Sequence, residues 1–323
     1  MQRASSLARE AYEVAGRTGA EEIRAESLSL LGVVRHYAGD ARGIEDQEQS
    51  VELATSSGAL GTVVRVLNNL AVSHQELGDL EAGYRFRLQA AEAAERLGSE
   101  SLVRWGQAVL LDHRYRRGDW DEAQRDADDF LAKAEAGSPH VLTWQVSFIR
   151  AELRLAKEDI AGALADADRA LTTGRAVDEI QALTFVLAGG AHIVALAGER
   201  ERAAALGNEL FEMMRGDVNM QFAIINLPAL ASAALQLGLR DELRKALARY
   251  PKSRWTEAVQ AYLADDFAAA ADVLARAGAR SDEAEARLRA GDAVNVRRAL
   301  AFYRSVDATR YIREAESQLA APA

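Results

Sequence analysis

Apolar residues recur along this chain at three- and four-residue intervals, interrupted by Gly-Asp pairs or close variants of them. Residues 63–98 show the pattern most plainly. Leu67, Leu70, Ala71 and Leu77 mark one stripe before Gly78-Asp79, and Leu80, Gly83, Ala90, Ala91 and Ala94 mark another after it. The spacing predicts two amphipathic helices joined by a tight turn. Gly78 takes the left-handed conformation that closes the first helix, and Asp79 caps the second. A lone helical hairpin cannot bury both faces, so it needs neighbours.

The neighbours repeat at a fixed period. Turns of the same kind begin at Gly39, Gly78, Gly118, Glu158, Gly198 and Gly238, at spacings of 39, 40, 40, 40 and 40 residues. Two tighter copies begin at Asp265 and Gly291, at spacings of 27 and 26. One helix-turn-helix per period is the mark of an α-solenoid. The chain therefore reads as one continuous domain over 1–323. It starts with an orphan second helix (4–18), continues with six units of about 40 residues over 22–250 and two short units over 254–304, and closes with a capping helix (307–320). The orphan half-repeat implies missing upstream sequence, including any effector domain. Pro139 and Pro251 fall between helices. Pro228 either sits in the first turn of a helix starting near Leu227 or kinks that helix. The tail 320–323 reads as loose.

Small residues recur at two offsets from the turns. Five after the turn stand Gly83, Ala123, Ala163, Ala203 and Ala270, and seven before it stand Gly32, Ala71, Ala151, Ala191, Ala231 and Ala258. With the Gly-Asp turns and the LEA or DEA that follow them, these residues resemble tetratricopeptide repeats (TPRs). The resemblance implies an all-α, right-handed α-solenoid whose first helices line a concave face. Ile44, Leu243 and Val296 depart from the small-residue pattern, and the period exceeds the roughly 34 residues of the standard repeat. The longer period is similar to the sensor regions of large bacterial signalling proteins. Residues 297–320 resemble the C-terminal end of multidomain actinobacterial-type proteins in which a cyclase or helix-turn-helix regulator is joined to a signalling ATPase and a TPR tail.

Composition narrows the function. Hydrophobic residues make up 49% of the chain and aromatics 6%, which suits closely packed Ala- and Leu-rich helices. A net charge of −10 argues against nonspecific nucleic-acid or anionic-membrane binding. With no cysteine there are no disulfides, thiolate metal sites or cysteine nucleophiles. Residues 1–19 lack the apolar core of a signal peptide, and no run approaches the ~18 apolar residues of a membrane span. The expected location is the cytoplasm.

Motifs for catalysis are missing. No phosphate-binding G-x-x-x-x-G-K-[ST] occurs, and Gly189-Gly190 reads as a close helix contact. His36, His74 and His113 recur in successive first helices, whose packing distance of about 10 Å is too wide for one metal. With His140 and His192 they read as structural or surface histidines. The acidic run from Asp119 to Asp129 lacks the glycine and glutamate of a calcium loop, and Asp119 or Asp121 reads as a helix cap. No G-x-S-x-G is present. Neither a cofactor nor a metal nor an enzymatic activity is expected.

What remains is a surface. Offsets from the turns place Asn68, Gln75, Trp105, Asp112, Tyr115, Gln145, Phe148, Glu152, Phe185 and His192 on the face the resemblance makes concave. Aromatics beside carboxylates and amides suit a protein or peptide partner, including an upstream effector domain of the same protein. The alternative is a small-molecule receptor governing such an effector, as in relatives resembling the maltotriose-responsive transcription activator. Taken singly, Trp105, Phe148 and Phe185 fit packing between adjacent repeats better than a place on that surface.

Overall fold

The computed structural model describes residues 2–216, 221–248, 250 and 252–320, and among them it is built of helices with no strand. Pro251 and residues 321–323 lie outside the described residues. Helix α1 (Gln2–Thr18) is the orphan. Pairs then follow: α2 (Glu21–Tyr37) with α3 (Arg42–Ser57), α4 (Leu60–Leu77) with α5 (Leu80–Leu97), α6 (Glu100–Arg117) with α7 (Trp120–Glu135), α8 (Thr143–Ala156) with α9 (Ile160–Ala176), and α10 (Ile180–Leu196) with α11 (Arg200–Arg215). A 3-10 turn (Gln221–Asn226) leads into α12 (Leu227–Leu237) and α13 (Arg240–Leu247). The short elements are α14 (Arg254–Leu263), α15 (Phe267–Ala277), α16 (Arg280–Ala290), α17 (Ala293–Ser305) and α18 (Thr309–Ala320).

All eight predicted turns begin with a residue in the left-handed region, from Gly39 (φ 77°) to Gly291 (φ 74°). At Gly78 that conformation costs nothing, whereas Glu158 (φ 66°) and Asp265 (φ 58°) adopt it with a Cβ in the way. Asp79 caps α5 by accepting from the Ala82 amide, as Asp159, Asp266 and Asp292 do for their helices. Asp119 differs. It sits at the N-cap of α7 but makes no cap bond there, and its carboxylate instead lies 3.6 Å from Arg117. Pro228 lies in the first turn of α12, where its missing N–H leaves no bond unmade.

The small positions are helix crossings. Ala123, Ala163, Ala203 and Ala270 are fully buried. In the first unit Gly43 takes this role in place of Ile44. A Cβ on Gly43 would meet the Gly32 carbonyl at 2.5 Å, so these backbones touch directly. One residue fewer separates Gly43 from its turn, which absorbs the lone 39-residue spacing. The Gly189 contact is tighter still, since a Cβ there would lie 1.9 Å from the Phe148 ring.

The chain divides into two compact units, 1–110 and 111–323. The first is packed around Val63, Val66, Leu67, Ala90, Ala93 and Ala94. In the second, Trp255, Tyr262, Tyr303 and Phe211 are the largest wholly buried side chains. The helices are thus all-α repeats of a solenoid.

Candidate functional site

Within 111–323 the two helices of each pair form an inner and an outer row. Outer helices are bridged by long side chains 34 residues apart: Arg169 to Glu135 at 2.6 Å, Arg175 to Glu209 at 2.6 Å, and Arg202 to Asp168. Inner helices approach closely enough for shorter side chains at an offset of 40, as where His192 meets Glu152 at 3.0 Å. The same short ladder joins the inner helices of 1–110. Thr62 donates to Glu22 at 2.9 Å, Asn69 to Ser29 at 3.1 Å, and His36 pairs with Glu76 at 3.1 Å.

Three of the expected surface residues lie in 1–110. Asn68 donates to the Val64 carbonyl and accepts from Arg87 at 2.6 Å. The Arg87 guanidinium in turn lies 5.3 Å from the centre of the Trp105 ring. Asn68 and Trp105 are both half-buried, so the amide on α4 and the indole on α6 are partly open, with the buried Arg87 of α5 between them. Gln75 is buried in α4. His74, one residue before it, is held below the ordinary imidazole value by burial, which the nearby Asp79 only partly offsets.

The other seven lie in 111–323 and fall into two groups. Phe148 and Phe185 meet edge to face at 5.1 Å, with Trp144 against Phe185 at 5.2 Å. Both phenylalanines are buried, as is Gln145. The second group is ionic. His192 bonds Glu152 through Nδ1 and Glu285 through Nε2, the latter at 3.3 Å, and Ser232 Oγ donates to Glu285 at 2.5 Å. Arg289 donates to Ser232 at 2.6 Å and lies 3.3 Å from Glu285. Beside them, Arg116 donates to Asp112 at 3.2 Å, Asp282 at 2.8 Å and Asn226 at 2.9 Å. Tyr115 stacks on Trp120 at 5.5 Å, and its carbonyl accepts from both Trp120 Nε1 and Ser281 Oγ.

Burial sets the electrostatics here. Desolvation alone would lower the His192 value, but the carboxylates of Glu285 and Glu152 outweigh it and hold it up at about 10. Burial would raise Glu285, yet His192 and Arg289 hold it far below the carboxylate range. Asp282 is pushed up to about 6 by burial, against the pull of Arg116. His192 is therefore a buried cation between two carboxylates with both ring nitrogens engaged. No group of metal-ligating side chains occurs among the described residues.

The residues that complete this network, Arg116, Asn226, Ser232, Asp282, Glu285 and Arg289, are not among those expected from the sequence. A signal was there to find most of the inner rung. Asp112, Glu152 and His192 each stand six residues before a turn, and the same offset from Gly238 and Gly291 gives Ser232 and Glu285. Helix α16 is thus an inner helix like α8 and α10, and its charged face is turned onto theirs.

No protein-family model matches the sequence, and no curated protein matches it. Among solved structures, a Rap protein complexed with competence and sporulation factor is similar at TM-score 0.54 and 13% identity, over 98% of this chain and 98% of that one. A tetratricopeptide repeat protein from Parabacteroides merdae is similar at TM-score 0.39 and 13% identity, over 90% of this chain and 98% of that one. The Rap likeness extends over nearly the full length and agrees with the class the helices define, an all-α solenoid of helix-turn-helix repeats.

Proposed function

We propose that this chain is a non-catalytic protein- or peptide-binding module of a bacterial signal-transduction or transcription-regulatory protein, working in the cytoplasm. Its partner is a peptide, a protein segment or an effector domain of its own larger protein. The observation that carries the reading is the pair Asn68 and Trp105, both half-buried, on α4 and α6, held from behind by the buried Arg87 of α5. The half-buried amide offers hydrogen bonds to a peptide backbone, and the indole offers a flat anchor for a side chain. Gln75, buried further along α4, is proposed to take part only if that part of the helix is uncovered. The likeness to a Rap protein in complex with competence and sporulation factor supports the reading, since a chain of this fold carries a bound factor. The resemblance of residues 297–320 to the end of signalling proteins supports the regulatory setting.

Within 111–323, Asp112, Tyr115, Gln145, Phe148, Glu152, Phe185 and His192 are proposed as partner-binding residues in their own right. Glu152 and His192 reach a partner only when α16 withdraws from them. The carboxylates of Asp112 and Glu152 then favour a basic or hydrogen-bond-donating ligand.

Panning a random peptide library against the purified chain tests the proposal. The expected result is an enriched peptide whose affinity falls about tenfold or more in Trp105→Ala while the melting temperature holds. Failure to enrich any peptide, or peptides indifferent to both Trp105→Ala and Asn68→Ala, would contradict it.

A further inference from the structure

Helices α16 and α17 run antiparallel across the turn at Gly291-Asp292, and two contacts fix their register. Arg287 donates to Asn295 at 2.7 Å, and the Arg280 guanidinium lies 5.5 Å from the centre of the Phe302 ring. In that register Ala284 faces Arg298. Because Ala284 and Ala301 are too small to fill the space between the helices, a hollow of about 320 Å3 remains. Arg280, Arg287 and Arg298 rim it, with Phe302 at one end.

The three arginines are not equivalent. Arg287 is engaged by Glu283 at 2.6 Å, Asp272 at 3.1 Å and Asn295. Glu283 is the one carboxylate in the lining, so Arg287 and Glu283 cancel. Arg280 donates to the Arg117 carbonyl at 3.1 Å and stacks on Phe302, but forms no ion pair among the described residues. Arg298 is exposed and forms neither a hydrogen bond nor an ion pair among the described residues. Two guanidiniums without carboxylates therefore face one hollow, in a chain whose net charge is −10. The step of four residues from Arg280 to the position facing Arg298 spans ~6 Å of helix, within reach of two flexible arms.

We propose that this hollow binds the phosphate monoester of a small organic molecule. The dianion matches the two unpaired charges, and each guanidinium fork suits a pair of phosphate oxygens. The alanine floor and the edge of Phe302 take the organic part. The volume lies at the lower end of the ~300–1,000 Å3 range of small-ligand sites, so the organic part is a single ring or short chain.

The probes are phenyl phosphate, benzenesulfonate as the same ring with one charge, and a short phosphoserine peptide, each titrated calorimetrically. The full-length chain is compared with Arg298→Gln, with Ala301→Leu, which fills the hollow from an exposed position, and with Arg297→Gln as an exposed-arginine control on the same helix. Phenyl phosphate should bind saturably at one site, and benzenesulfonate about tenfold more weakly or less. Arg298→Gln and Ala301→Leu should each weaken phenyl phosphate about tenfold or more at unchanged melting temperature, while Arg297→Gln leaves it alone. No saturable binding in the millimolar range, or binding indifferent to both lining variants, would overturn the proposal. A phosphoserine peptide binding more tightly than phenyl phosphate would overturn the assignment to a small molecule.

Discussion

In residues 1–110 polar side chains pair one inner helix with the next, and each of these pairs keeps one member at least partly open: Glu22 with Thr62, Asn69 with Ser29, His36 with Glu76. In residues 111–323 the corresponding ladder is closed over. Glu152 and His192 are joined by Ser232 from a later repeat and Glu285 from the last one, and all but Glu285 are buried. Both regions use the same helical offset and the same residue chemistry. What differs is whether a further helix with complementary charge arrives to cover the row. A repeat fixes where side chains point along the helix; what lies opposite them is decided by helices far away in sequence.

The largest test breaks the closed ladder. Glu285→Ala leaves the buried His192 cation with one carboxylate and Arg289 without its partner, which should cost about 3–5 kcal/mol. Denaturant unfolding measures the loss, and hydrogen exchange should place it within 111–323. Gly189→Ala comes next, because its methyl would enter a Phe148 ring already wedged against Phe185. Overpacking of this kind costs ~1–3 kcal/mol, and combining it with Phe148→Leu should recover part of the loss.

Stability against pH separates the regions next. The His192 value is raised, so its contribution is fully present below the ordinary ~6.5 and is lost as pH rises through about 10. Glu285 is depressed, so its contribution is present above the ordinary ~4.3 and disappears as pH falls. Asp282 runs the other way: raised to about 6, it favours the fold below ~3.9 and withdraws that support as pH climbs through 6. Thermal melts from acid to alkaline pH should show an alkaline decline that His192→Gln flattens. The smallest effect belongs to the open ladder. Asn69→Ala removes one half-exposed hydrogen bond to Ser29 and should cost about 0.5–1.5 kcal/mol.

Much of this fold is legible in the sequence because its turns need a rare conformation. Gly39, Gly78, Gly118, Gly198, Gly238 and Gly291 announce left-handed residues, and the period carries Glu158 and Asp265 into the same role. Ile44 misleads only because its turn is one residue shorter, which moves the helix crossing to Gly43. Asp119 misleads because Arg117 competes for its carboxylate. The candidate site is less legible. Asp112, Glu152 and His192 stand on the inner row, but Asp282 lies 166 residues from the Arg116 it binds and Glu285 lies 93 residues from His192. Their helix, α16, reads on its own as a short charged segment with no hint of a buried face. Phe148 and Phe185 belong to a packed cluster because Gly189 leaves room for a ring, a contact that periodicity alone does not specify.

Histidine titration by NMR compares the two regions through one residue type. His74 lies in 1–110 and is held below the ordinary imidazole value by burial, whereas His192 in 111–323 is held at about 10 between Glu152 and Glu285. The His192 ring should stay protonated through neutral pH while His74 is already neutral, and Glu285→Gln should bring the His192 value down towards the ordinary ~6.5. A His192 that titrates near that ordinary value in the unmodified chain, or is unmoved by Glu285→Gln, would contradict the closed ladder.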